Sequence, residues 1–323
     1  NLDVFQGSPG RLRRNHERYL QKAGLVTVTS RALYEEVQQT REDALLCPNG
    51  VDFEHFQGTG PSPDPQDLAR LAPRGAPVIG YHGALARWFN YGLIKELASQ
   101  LREMQFVLLG VDYDRTLQRE GILDLPNVYW LGKIDYARLP AYVRAFDVGL
   151  IPFKVNEITR ATSPIKLYEY FAAGVPVVSS PLREVQRYED VFMASSLEEW
   201  MAMIECALAA RDDAAFTSRL QEIGRENRWS VRADAILDRL EKASGDGSRV
   251  SAERGSAPAP VRTGVGWVVR RLVRTWQLSG PRGILKALYN KLKGTLQSIK
   301  PSRLIRIPRA WRETYIPEDF SQV

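Results

Sequence analysis

The chain has 323 residues, 44% hydrophobic and 25% charged, which is enough for one large core or two moderate ones and reads as an ordinary soluble protein. Its two cysteines, Cys47 and Cys206, exclude a disulfide framework and point to a reducing compartment; no run of about 18 uncharged apolar residues is there to span a bilayer. The net charge of +6 is unevenly placed: residues 263–323 hold twelve Lys or Arg against three acids, which leaves −3 for residues 1–262 and argues against nucleic acid as a partner of the globular body.

In chain order, residues 11–22 read as a helix-bearing segment. Leu25-Val26-Thr27-Val28-Thr29-Ser30 is a β-rich run, and Ser30 can cap a helix over 31–39. Residues 44–47 form another short strand, stopped by Pro48-Asn49-Gly50-Val51-Asp52, where Asn-Gly favours a tight turn. The polar, Pro-rich stretch 58–77 reads as a surface linker. From there the alternation is regular: strand 78–81, helix 93–103, strands 106–110 and 127–132, helix 139–145, strand 148–152, helix 165–173, strand 175–178, a short strand near 191–193, and helices 196–210, 214–226 and 230–242. Strands alternating with helices of this length predict an α/β fold, a parallel sheet with helices on both faces. Ligands of such sheets sit at the C-terminal strand edge. Gly83, Gly110, Gly132, Pro152 and Ser163 all fall just past strand ends and are predicted to converge there.

The stretch from Thr162 to Ser180 is loop, helix, stop, strand. Ser163 can cap the helix through its hydroxyl, Pro164 sits where a missing N–H costs nothing, and Gly174 supplies a left-handed exit. A helix start presents unpaired N–H groups and partial positive charge, a ready place for phosphate. Lys166 adds a full charge in the first turn. Glu169, three residues on and on the same face, can accept hydrogen bonds from the two hydroxyls of a ribose. Together they describe a nucleotide diphosphate site; the same residues also fit a capped surface helix with a Lys–Glu pair. Of the histidines, His16 reads as an exposed helical residue and His55 as a surface loop residue, while His82, between Tyr81 and Gly83 at a strand end, is a site candidate. Trp130 is most simply core. No Cys/His cluster has ligand spacing, so neither a protein-held metal nor a cofactor is expected.

The runs Val26-Thr27-Val28-Thr29-Ser30, Pro48-Asn49-Gly50-Val51-Asp52, Gly80-Tyr81-His82-Gly83, Val128-Tyr129-Trp130-Leu131-Gly132 and the stretch from Ser163 through Lys166, Glu169 and Gly174 to Val178 come in a telling order. Over roughly residues 25–242 they resemble the C-terminal, donor-binding half of a GT-B fold in the group 1 family of retaining glycosyltransferases, enzymes that build bacterial surface polysaccharides. The resemblance implies a Rossmann-like sheet that binds a nucleotide-diphosphate-sugar. It implies that Gly83 and its loop approach the sugar diphosphate with Arg87 as a phosphate contact, and that Leu131, Gly132 and Lys133 lie beside the base. Ser163, Pro164, Ile165 and Lys166 would cradle the phosphates, Glu169 would bind the ribose, and the helix from Trp229 would cross back toward the other domain. Lys166 and Arg87 would stabilise the charge that grows on the leaving diphosphate.

Three departures from the family pattern stand out. Many members carry a Glu at the position of Ala161, contacting the donor sugar; here Glu157 is the nearest carboxylate. Asn90 and Tyr91 leave the family's Arg…Lys phosphate pair incomplete. The acceptor-binding N-terminal domain is not in this sequence, and residues 1–24 read as its remnant or connector, so the chain would hold donor without transferring it alone. The expected organisation is therefore 1–24 connector, 25–244 donor-binding domain, 245–263 flexible linker rich in Ser, Gly, Ala and Pro, and 264–323 basic helical tail. In the tail, Trp267 and Trp276 lie among Arg270, Arg271 and Arg274, and Ile284, Leu288, Leu292 and Leu296 recur at i, i+4 beside Lys286, Lys291 and Lys293. A basic amphipathic helix with Trp suits an anionic membrane surface; a helix pair docked on protein is the other reading. The expected enzyme is a cytoplasmic hexosyltransferase, peripheral at the inner membrane face, acting on a glycan or lipid-linked acceptor. Its alternatives are a degenerate, non-catalytic nucleotide-binding or tethering module, or an epimerase of the same shape.

Overall fold

The computed structural model describes residues 9–246 apart from 59–62, 64–66 and 68–74. The chain divides into two units, 1–240 and 241–323. The tail read over 264–323, and the linker read over 245–263 beyond its first two residues, lie outside the described residues.

Helix α1 (Pro9–Lys22) leads into a small parallel pair, β1 (Thr27–Val28) and β2 (Leu45–Leu46), joined by α2 (Arg31–Gln38). Ser30 caps α2 as expected, its hydroxyl accepting from the Leu33 N–H at 3.3 Å. Leu20, Val28, Val37 and Ala44 make a small core of their own. The Arg41 guanidinium donates to the Leu20 and Ala23 carbonyls at 2.7 Å each, satisfying acceptors that the end of α1 leaves open.

The segment Pro48-Asn49-Gly50 differs from expectation. It makes no tight turn: the chain runs on to Val51, which pairs in a parallel bridge with Arg228 and accepts from the Trp229 N–H at 3.1 Å. Gly50 is there for clearance, since a Cβ would stand 2.7 Å from the Asn227 carbonyl oxygen. A short helix α3 (Phe53–Gln57), which no periodicity announced, follows.

The main sheet has six parallel strands in the order β5-β4-β3-β6-β7-β8: β3 (Val78–His82), β4 (Gln105–Leu109), β5 (Val128–Gly132), β6 (Val148–Ile151), β7 (Val177–Ser179) and β8 (Val191–Met193). Every residue of β3, β4, β6 and β7 is buried, which is why each reads as a mostly apolar run, with His82, Gln105 and Ser179 at strand ends, rather than an alternation. Between them lie α4 (Tyr91–Gln100), α5 (Thr116–Arg119), a 3₁₀ turn (Ile122–Asp124), α6 (Leu139–Arg144), α7 (Glu157–Arg160) and α8 (Ile165–Ala173). Helices α9 (Leu197–Arg211), α10 (Ala214–Glu226) and α11 (Trp229–Asp246) complete the described chain. Helix α4 starts two residues before the expected 93 because the Asn90 carboxamide accepts from the Leu93 N–H at 3.3 Å. Helix α9 starts with a reciprocal cap between Ser196 and Glu199.

Candidate functional site: the C-terminal edge of the sheet

Three strand ends meet through their backbones. The Gly83 N–H donates to the Leu109 carbonyl at 2.9 Å, and the Gly110 N–H donates to the Gly132 carbonyl at 2.6 Å. Gly83 and Gly110 adopt φ of +127° and +136°, and a Cβ on Gly110 would lie 1.9 Å from the Gly83 carbonyl oxygen. Only glycine permits this nesting. Trp130, read as core, is half-buried and donates its indole N–H to the Gly110 carbonyl at 2.9 Å, so it fixes the same edge.

Helix α8 opens onto this edge, but not through the expected cap. Pro164 is the N-cap residue, no side chain caps the first turn, and the buried Ser163 hydroxyl has no hydrogen-bond partner. Ser163 stands one residue too far out for its Oγ to act as a cap. Its carbonyl instead accepts from the Asn49 carboxamide at 2.6 Å. Asn49 was thus missed as a site residue because its dipeptide signalled a turn. The exit is as expected, with Gly174 at φ +71°.

Lys166 is in the first turn of α8. Its Nζ lies 4.7 Å from the centre of the Phe153 ring and 5.3 Å from that of Tyr81, and a Cβ on Gly83 would come within 3.3 Å of it. The ammonium is therefore held at the Gly83 turn. Burial lowers its pKa to about 8, against the pull of Glu169. Glu169, only 8% exposed, has its pKa raised to about 7 by burial, with the Lys166 charge opposing.

His82, 3% exposed, ends β3; its Nε2 lies 3.6 Å from a Glu169 carboxyl oxygen and makes no hydrogen bond. Burial, helped by the charge of Lys166, holds its pKa well below the usual histidine range, so the ring is neutral. Tyr170 backs the group: its hydroxyl accepts from the His82 N–H at 3.3 Å and lies 3.3 Å from the Gly80 carbonyl, while its ring meets the imidazole edge-on at 4.8 Å. The sequence gives Tyr81, Phe153 and Tyr170 no role at the site.

The other expected residues are more peripheral. Arg87 is exposed in the loop after β3, where its backbone N–H donates to Asp114 at 3.0 Å. Leu131 and Gly132 are half-buried and Lys133 exposed at the end of β5. Glu157 is exposed in the first turn of α7, outside the buried cluster, and Ala161 is half-buried after it. His55 is not in a loop: it lies on α3, stacked on Tyr136 at 4.5 Å, with its Nε2 2.8 Å from the Tyr136 carbonyl. Among the described residues no three or more His, Cys, Asp or Glu are grouped as metal ligands, and no helix is long and apolar enough to cross a membrane.

Comparison with known proteins agrees with the parallel sheet and its surrounding helices. Residues 76–213 match the family model described as glycosyl transferases group 1. The chain is 29% identical over 230 residues to TuaH of Bacillus subtilis, named for a glycosyltransferase of teichuronic acid biosynthesis, covering 68% of this chain and 57% of that protein. It is 26% identical over 261 residues to the phosphatidyl-myo-inositol mannosyltransferase of Mycolicibacterium smegmatis, covering 77% and 63%. The chain thus spans about three fifths of these relatives' length. Among solved structures, the fold is similar to that of Anabaena HepE in complex with UDP-glucose, with a TM-score of 0.54 at 19% identity over 74% of this chain and 70% of that one. It is also similar to a UDP-forming α,α-trehalose-phosphate synthase from Burkholderia vietnamiensis, with a TM-score of 0.58 at 16% identity over 72% and 63%. Residues 76–213 are thus similar to the glycosyl transferases group 1 family, and the chain's six-stranded sheet is a Rossmann-like half of a GT-B fold.

Proposed function

We propose that this chain supplies the donor site of a glycosyltransferase that moves a hexose from a nucleotide-diphosphate-sugar to a cell-surface polysaccharide or lipid-linked acceptor. One observation carries the reading: Lys166 and Glu169 lie one turn apart at the open start of α8, the ammonium at the Gly83 turn and the carboxyl beside the end of β3. The spacing suits a diphosphate at one end and a ribose diol at the other. As the glycosidic bond breaks, negative charge collects on the leaving diphosphate. The uncapped N–H groups of α8 and Lys166 stabilise that charge, with Arg87 able to reach in from the solvent side. Ser163, Pro164 and Ile165 form the phosphate cradle, and Leu131, Gly132 and Lys133 flank the base.

The names of the relatives speak of teichuronic acid and of phosphatidyl-myo-inositol, which supports a glycan or lipid-linked acceptor. The basic amphipathic sequence of 264–323 supports a peripheral place on the inner membrane face. Retention of configuration comes from the family resemblance. A second reading, a non-catalytic nucleotide-binding module, is favoured by Ala161 standing where a sugar-contacting Glu is usual.

Calorimetric titration of the chain with UDP, GDP and ADP tests the site. Selective binding of one nucleotide, lost in Glu169→Ala, is the expected result. Equal binding in wild type and variant contradicts the site. Turnover of the cognate nucleotide-sugar in the presence of a glycan or lipid-linked acceptor then separates the enzyme from the module.

A further inference from the structure

We propose that His82 is a positioning residue for Glu169: its Nε2, buried and without a hydrogen bond, turns the Glu169 carboxyl so that both oxygens face a ribose diol. This rests on the donor-site reading. The geometry is specific. Among the described residues, the neutral His82 ring brings its Nε2 within 4 Å of the Glu169 carboxyl; Lys166, though on the same helix face, makes no ion pair with it. The 3.6 Å separation is longer than a hydrogen bond, and a shift of about 0.7 Å closes it. An orphaned nitrogen on a side chain as buried as His82, 3% exposed, costs free energy unless some state of the protein satisfies it. A diol drawing the carboxyl into place is such a state.

The imidazole itself cannot swing. The His82 backbone N–H is tied to the Tyr170 hydroxyl, the ring sits edge-on to Tyr170, and the residue ends a fully buried strand. The movable partner is the longer Glu169 side chain. Tyr170 follows Glu169 on α8, so the helix that bears the carboxyl also clamps the histidine that orients it. The neutral ring can present its one proton at Nε2 to an ionised carboxylate without adding charge to a site that already holds Lys166.

The test uses the full chain, wild type and the variants His82→Phe and His82→Gln, titrated with UDP, GDP and ADP, each against its 2′-deoxy form. Wild type should prefer the ribose form of its nucleotide by about tenfold, the scale of one hydrogen bond to a charged group. His82→Phe keeps the edge-on contact with Tyr170 but loses the nitrogen, and should lose most of that preference while its affinity for the deoxy form stays within about twofold. His82→Gln, whose amide nitrogen reaches the place of Nε2, should recover it. A ribose preference that survives in His82→Phe, or an equal fall for both nucleotides in both variants, overturns the inference and leaves the donor site standing. A wild-type chain that binds none of the three nucleotides, or binds without ribose preference, overturns the donor-site reading and the inference with it.

Discussion

Lys166 and Glu169 sit one helical turn apart on α8 yet do not pair: the ammonium lies over the rings of Phe153 and Tyr81, and the carboxyl lies beside His82. A surface Lys–Glu pair would meet in the middle and serve the helix. Here the two charges are held apart at opposite ends of a short span, each desolvated, as the proposed donor site requires for a ligand that carries anion and diol together.

Removing the Lys166 charge should weaken nucleoside diphosphate binding roughly ten- to a hundredfold, matching about 1.5–3 kcal/mol for a lost charge-assisted hydrogen bond. Lys166→Met keeps the aliphatic stem over Phe153 and is the cleaner variant. Its unfolding free energy should not fall, because the wild-type ammonium is desolvated. Titration and denaturant unfolding read the two effects separately; unchanged affinity would count against the phosphate role.

The same pair predicts a pH response whose sign can be worked out. Glu169 becomes a carboxylate only above about 7, and Lys166 stays charged only below about 8, so affinity should peak between them. Glu169→Gln should remove the acid limb and Lys166→Met the alkaline one. Stability runs the other way. Between the ordinary carboxylate value and about 7, the folded chain keeps a proton that the unfolded chain has released, so this contribution is lost as pH rises through that window. Above about 8 the folded chain sheds the lysine proton before the unfolded chain does, and stability recovers up to the ordinary lysine value. The unliganded chain should therefore be least stable near the pH at which it binds best, a dip that either single variant makes shallower in denaturant titrations.

Much of the fold was legible because its central strands are buried on both faces and read as apolar runs. The turn-forming glycines were legible too, and they do converge on one edge. What escaped has local causes. Asn49-Gly50 carries a turn signal, but a carbonyl at Ser163 claims the Asn side chain and the Asn227 carbonyl dictates the Gly. Ser163 looked like a cap, and a one-residue offset gave that place to Pro164. Helix α7 is only four residues long, held by a reciprocal Asn156–Thr159 cap too short to leave a periodic pattern. The nearness of His82 to Glu169 joins residues 87 apart in sequence and needed the sheet to be built first.

The glycine nest supplies a stability test. Gly110→Ala forces a methyl to 1.9 Å from a backbone oxygen and should prevent normal folding, whereas Gly83→Ala meets the movable end of Lys166 at 3.1 Å. The second should cost about 1–3 kcal/mol of backbone strain and displace the ammonium. Equal, small losses in both variants by denaturant unfolding would contradict the nested edge.

Asn49→Leu removes the 2.6 Å hydrogen bond to the Ser163 carbonyl. The expected loss is about 1 kcal/mol of stability, with nucleotide affinity falling more than in a variant such as Asn90→Ala, which loosens α4 at a comparable cap. The ratio of the two affinity losses is the readout.

The basic tail gives a prediction from sequence. Replacing Lys286, Lys291 and Lys293 with Ser in the full chain should reduce sedimentation with phosphatidylglycerol vesicles at low salt, by about 1 kcal/mol for each charge. Unaltered binding would favour docking on protein.

The most direct measurement of the central claim is amide hydrogen exchange of the full chain with and without saturating UDP or GDP. Slowed exchange over residues 163–169 and the turn after Gly83, with α9 unchanged, is the predicted result. Bound nucleotide that protects another surface and leaves the start of α8 untouched would contradict it.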